Sequence, residues 1–164
     1  MTGDIAALDP RRKILSWHAA REWRRHQTGP VVFTNGVFDL LHPGHIDVLR
    51  GARAEGKQLV VGLNADASVR RLNKGPDRPS RHESERAYVL AALELIDVVV
   101  VFDQDTPLEL VRQLEPDVIV KGGDYAPDTI VGAADVIARG GRVVIIPLTP
   151  GHSTTSTIEK LRGS

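Results

Sequence analysis

Five short apolar runs punctuate the chain, at residues 31–33, 59–63, 98–102, 118–120 and 143–146. Each is continuous and largely β-branched instead of alternating, as in strands buried on both faces. Between them apolar positions recur at helical spacing, over residues 46–55, 67–72, 83–95, 107–114, 130–138 and 155–161. Strand and helix alternate, which predicts an α/β fold: a doubly wound parallel sheet of about five strands with helices on both faces and right-handed crossovers. Ligands of such sheets bind beyond the carboxyl ends of the strands, near the point where strand order reverses. The loops after strands, at 34–45, 64–66, 103–106, 121–128 and 148–153, are therefore expected to carry the chemistry. Gly56-Lys57 and Gly140-Gly141, at the opposite end, read as plain turns.

Residues 1–29 stand outside this pattern. There Arg11, Arg12, Lys13, Arg21, Arg24 and Arg25 surround Ile14, Leu15, Trp17 and Trp23. A helical extension is expected, its Trp and Leu side packed on the domain of residues 30–164 or on a second subunit. A basic arm for nucleic acid is the alternative, and nothing else supports it. Across 164 residues, 21 Lys and Arg balance 21 Asp and Glu. A neutral chain has no whole-molecule field for nucleic acid or a membrane surface, so any anion binding must be local. With no cysteine there are no disulfides or thiolate zinc sites. No apolar run approaches the roughly 20 residues that span a bilayer, and no signal peptide is recognisable, so a cytoplasmic protein is expected.

The loop after the first strand is the most informative. It reads Thr34-Asn35-Gly36-Val37-Phe38-Asp39-Leu40-Leu41-His42-Pro43-Gly44-His45 and runs directly into a helical pattern. A helix start offers unpaired N–H groups and a positive dipole end, a natural phosphate site. Pro43 suits the first turn, where its missing N–H costs nothing. Gly36 and Gly44 allow backbone to approach a ligand closely. Two imidazoles three residues apart can project the same way and donate N–H bonds to phosphate oxygens. The rival is a metal site, with Asp39 as a third ligand.

Asn35-Gly36-Val37-Phe38-Asp39 followed by His42-Pro43-Gly44-His45 resembles the cytidylyltransferase-like nucleotidyltransferase superfamily, whose signature is a His-x-Gly-His segment in a Rossmann-like fold. The likeness extends over residues 30–162. Within the superfamily the chain is most similar to the adenylyltransferases that make ADP-heptose from D-glycero-D-manno-heptose 1-phosphate. The stretches that carry this are Asn64-Ala65-Asp66-Ala67-Ser68, Arg71-Leu72, Lys74-Gly75, Arg78-Pro79, Glu85-Arg86, Asp105-Thr106-Pro107, Lys121-Gly122-Gly123-Asp124-Tyr125 and Ser153-Thr154-Thr155. The resemblance implies transfer of AMP from ATP to the heptose 1-phosphate with release of pyrophosphate, by a homodimer.

Such a transfer needs little covalent help. A phosphate monoester has a second pKa of roughly 6, so the acceptor arrives largely as the dianion and requires no general base. In-line positioning and neutralisation of developing charge remain to be supplied. His42, His45, Lys74 and Arg86 are expected to supply them. Thr34, Asn35, Gly36, Phe38, Gly44, Lys121, Gly122, Asp124, Ser153, Thr154 and Thr155 are expected to hold the nucleotide. Asp39, Asn64, Asp66 and Arg78 are expected to form the acceptor pocket. Blander readings stand beside these: an ion pair of Arg86 with Glu83 or Glu85, a helix cap for Asp66, and another for Ser153 to Thr155. No carboxylate cluster resembles a metal cage, so Mg²⁺ is expected to be held mainly by the ATP phosphates.

One departure limits the carry-over. Glycerol-phosphate cytidylyltransferases have Arg-Thr-Glu-Gly-Ile-Ser-Thr-Thr-Lys before the last helix, where this chain has Leu148-Thr149-Pro150-Gly151-His152-Ser153-Thr154-Thr155-Ser156 and lacks both cations. Two alternatives stay open. One is another transferase of the superfamily, acting on glycerol phosphate, an aminoalcohol phosphate or a flavin precursor. The other is a nucleotide-binding module without catalysis.

Overall fold

In a computed structural model of the chain, the described residues are 5–72, 75, 77–148 and 150. Five strands form one sheet: β1 (Val31–Gly36), β2 (Gln58–Asn64), β3 (Val98–Phe102), β4 (Val118–Gly122) and β5 (Arg142–Ile146). Every pairing is parallel and the order is β3-β2-β1-β4-β5. The helices are α1 (Trp17–Arg25), α2 (Pro43–Ala54), α3 (Asp66–Arg71), α4 (Glu83–Ala91), α5 (Leu108–Leu114) and α6 (Ala133–Ala138). The predicted α/β architecture and all five strand positions agree with this. The chain builds outward from β1 to β3 and then crosses back to β4, so strand order reverses between β1 and β4.

The two-residue period of a strand divides each apolar run between two cores. Val31, Phe33, Val60, Val98, Val100 and Ile119 pack under α1, α5 and α6, through Ala20, Leu110, Val111, Leu114 and Val136. Val32, Leu59, Val61, Leu63, Val99, Val118 and Val120 pack under α2 and α4, through Leu49, Ala52, Ala87, Leu90 and Ala91. Each large aliphatic side chain buried this way contributes about 1.5–3 kcal/mol.

Two aspartates lock the strand starts. Asp97 Oδ2 accepts from Leu59 N–H at 2.7 Å, and Asp117 Oδ2 accepts from Val31 N–H at 2.7 Å. Each sits just before its own strand and satisfies an amide of the neighbouring one. Asp117 also pairs with Arg24 at 3.0 Å, which ties α1 to the sheet.

The segment before β1 lies along the outer side of β3. Leu15 N–H donates to Val99 O at 2.9 Å, and Ile14 forms a single parallel bridge with Val99. Trp17 Nε1 donates to Val101 O at 2.8 Å. Ser16 caps α1 by accepting from Ala19 N–H at 3.2 Å. Of the two settings foreseen for the Trp and Leu side, these contacts fill the one against the sheet.

Helix limits differ from the sequence spacing where caps intervene. The helix expected at 46–55 begins at Pro43, because His42 adopts the extended cap geometry and proline takes the first position. The helix expected at 83–95 ends at Ala91, after which turns bring Ile96 into full burial. The helix expected at 130–138 begins at Ala133, after Gly132 with φ 86°. The helix expected at 155–161 lies outside the described residues.

Candidate active site

At the carboxyl end of β1 the chain turns through Phe38, a non-glycine residue at φ 46°. Such a conformation costs energy and persists only where the surroundings enforce it. The Phe38 ring is buried and lies 5.3 Å from the ring of His45. His45 and His42 stack with centroids 3.8 Å apart and planes at 27°. The N–H of His42 donates to Nδ1 of His45 at 3.4 Å, closing the first turn of α2. An Nδ1 that accepts leaves the proton on Nε2, so His45 presents an Nε2–H donor on its far side. Leu41, His42, Pro43, Ile46 and Asp47 line a depression of about 450 Å³.

β4 ends alongside. Lys121 Nζ donates to Asn35 O at 3.2 Å, across the point where strand order reverses. A Cβ added at Gly122 would lie 2.4 Å from Val48 Cγ2, so α2 sits directly against this backbone. The imidazole pair, the Gly44 amide and the Lys121 ammonium thus gather at the switch point, where a doubly wound sheet takes its ligand. All are hydrogen-bond donors, suited to anionic oxygens.

A second group flanks this one. Asp39, with a fully buried side chain, accepts from Ser80 N–H and Arg81 N–H, and Oδ2 lies 2.8 Å from Nε of Arg78. That last contact is close but poorly aligned, an ion pair more than a directed hydrogen bond. Arg86, 2% exposed, donates Nε to Arg81 O at 3.0 Å, one terminal nitrogen to Val37 O at 2.7 Å and Asn64 O at 2.9 Å, and the other to Asp66 Oδ1 at 2.7 Å. Protein acceptors hold four of its five N–H groups. Neither Glu83 nor Glu85 is among its partners; Glu83 instead accepts from Asp66 N–H at 2.7 Å. Asp66 opens α3 and also meets His82 Nδ1 at 3.2 Å. Burial opposes the charge on Asp66, but hydrogen bonds from Arg86 and His82 outweigh it and hold the carboxyl below the usual aspartate value. The side-chain amide of Asn64 donates to Ser68 Oγ at 2.9 Å.

The expected site residues therefore fall into four groups. Asn35, Gly36, Phe38, Gly44, His42, His45, Lys121 and Gly122 converge at the switch point, and Thr34 is buried within β1 just behind it. Asp39, Asn64, Asp66, Arg78 and Arg86 form the adjoining buried network. Asp124 is exposed on the loop after β4. Lys74, Ser153, Thr154 and Thr155 lie outside the described residues. The network also recruits Ser68 and Glu83 in contacts not foreseen from sequence, together with Ser80, Arg81 and His82, which sequence reasoning did not single out. Only the helix-capping spacing of His82 and Glu85, joined at 3.2 Å, carried a local signal for them.

This is the Rossmann-like nucleotidyltransferase fold, with paired imidazoles at a helix start. The family profile described as cytidylyltransferase-like matches residues 33–160, and the chain belongs to that family. It is 60% identical over 140 residues to bifunctional protein HldE of Syntrophotalea carbinolica, covering 85% of this chain and 28% of that protein. To bifunctional protein HldE of Rhodospirillum rubrum it is 56% identical over 164 residues, covering 98% of this chain and 32% of that protein. The chain thus spans about a third of the length of these curated relatives. Among solved structures, a lipopolysaccharide core biosynthesis protein from Thermoplasma volcanium aligns with a TM-score of 0.60 at 27% identity, covering 74% of this chain and 97% of that one. Pantoate-beta-alanine ligase from Francisella tularensis aligns with a TM-score of 0.55 at 14% identity, covering 84% and 68%, and shares the fold.

Proposed function

We propose that this chain transfers AMP from ATP to D-glycero-D-manno-heptose 1-phosphate, giving ADP-heptose and pyrophosphate. The observation that carries the reading is the stack of His42 and His45, 3.8 Å apart at the start of α2. A phosphate oxygen of the sugar attacks the α-phosphorus of ATP. The bond from that phosphorus to the bridging oxygen breaks, and its electron pair leaves with pyrophosphate. His42 and the Nε2–H of His45 donate to the charged oxygens, while the α2 amides, Lys121 and Gly122 seat the nucleotide. Lys74, Ser153, Thr154 and Thr155 are proposed to complete this cradle. Family membership supports the reaction class. The motif resemblance supports the heptose, and likeness to a lipopolysaccharide core biosynthesis protein agrees with a sugar acceptor.

Arg86 takes a different part from the one its sequence position suggested. With four N–H groups committed to protein acceptors, it serves better as the hub that joins the loop after β1, the end of β2 and the start of α4 than as a phosphate ligand. The donors at the switch point suit phosphate and not a cation, so Mg²⁺ would enter on the triphosphate, where it neutralises charge. The proposal also covers a transferase domain at residues 30–164 with an extension before it, acting in the cytoplasm as a homodimer. A groove of about 790 Å³ beside the exposed Tyr88 and Val89 supports pairing, since Arg11 and Glu85 place both signs of charge on its rim.

Replacing both histidines by alanine, whose side chain cannot donate a hydrogen bond, tests the core of the reading. Pyrophosphate release should fall at least roughly 100- to 1000-fold, the cost typical of losing an oxyanion donor, while the protein stays folded. Undiminished turnover would refute the assignment. Preference for CTP with glycerol phosphate would overturn the heptose.

A further inference from the structure

Asp39 sits in the loop that faces the ligands, three residues before His42, yet its side chain is 0% exposed. Both of its oxygens are occupied. Oδ1 accepts from Ser80 N–H at 2.8 Å and Arg81 N–H at 3.1 Å; Oδ2 lies 2.9 Å from Ser80 N and 2.8 Å from Arg78 Nε. An ionised carboxylate offers about four lone-pair sites. A Ser80 N–H shared by both oxygens, the Arg81 N–H and the Arg78 charge engage this side chain inside the protein, away from a substrate hydroxyl. A buried carboxylate is tolerated only when paired and hydrogen-bonded in this way, and removing one partner exposes the cost of the other.

Arg78 is complementary. Its side chain is 11% exposed, and its Nε lies 2.8 Å from Asp39 Oδ2 in an ion pair that lacks hydrogen-bond alignment. The two terminal nitrogens thus form a fork that this carboxylate does not consume. A planar fork of that kind matches a phosphate bidentately, and holding it through Nε removes much of the entropy it would otherwise lose on binding.

We propose that Asp39 is a positioning residue: by fastening residues 78–81 to the loop after β1, it aims the Arg78 guanidinium at the phosphate monoester of the acceptor. Arg78 is then the side chain that meets the substrate, and Asp39 acts only through it. The inference deepens the transferase reading and rests on it for the identity of the acceptor.

A double-mutant cycle on Asp39→Asn and Arg78→Ala, in the full chain, tests this by two readouts. One is calorimetric affinity for heptose 1-phosphate, and the other is the KM for acceptor and for ATP against kcat. Each single variant should weaken acceptor affinity tenfold or more and raise the acceptor KM to match, with the ATP KM changed less than threefold. The double variant should be no worse than Arg78→Ala alone. Losses that multiply in the double variant would overturn the proposal, because Asp39 would then act without Arg78. So would normal acceptor affinity in Arg78→Ala, a result that decides the matter even where Asp39→Asn does not fold. An unmodified chain that binds the acceptor but releases no pyrophosphate would sink the transferase reading while the affinity cycle still judges the positioning role.

Discussion

At the scale of single residues, the buried carboxylates decide most. Asp66 is held ionised in the folded chain below its ordinary value near 3.8. A depressed folded-state value means that its stabilisation is fully present above the unfolded value and is lost as pH falls through the folded one. Asp66→Asn should therefore lower unfolding free energy by about 3 kcal/mol at pH 7, since it strands the Arg86 charge against carbonyls alone. The deficit should shrink below pH 4. Urea titrations at pH 7, 4 and 3 would read it, and a gap that stays constant across that range would contradict the ion pair. The pairing of His42 and His45 at a helix start was legible because it is local to the motif loop. The uses of Asp39 and Arg86 were not. Asp39 meets residues 41 and 42 positions away, and Arg86 reaches back 49 to Val37, distances that no spacing rule encodes.

The elements themselves were easier to read. Each continuous apolar run became a strand, because burial on both faces leaves no polar position to interrupt it. Helix starts were harder from apolar spacing alone, which put α2 at residue 46, although Pro43 marked its first turn. The seat of α2 on β4 was also invisible, for it depends on a missing side chain. At Gly122 any Cβ would collide with Val48, 2.4 Å away. Gly122→Ala should cost about 1–3 kcal/mol of stability, the usual range for overpacking a tight contact. Because α2 carries both histidines, the same change should raise the KM for ATP. Thermal melting and nucleotide titration together would check this, and a variant normal in both would mean that the contact is slack.

Over the whole molecule, topology brings the motif loop and the end of β4 together. Reversal of strand order between β1 and β4 makes the crevice, and the chemically specific loops lead into it. Trp17, Ala20 and Leu15 bind the first segment to the sheet through packing as well as hydrogen bonds. A chain that starts at residue 29 should keep the histidine pair in place but lose that cover. The bridge at Val99 then takes on a protective meaning. An outermost strand with bare amides is a template for pairing with another molecule's strand, and short coverings of this kind are how soluble sheets avoid it. Light scattering that grows with concentration in the shortened chain, and not in the intact one, would mark the segment before β1 as a guard against self-association.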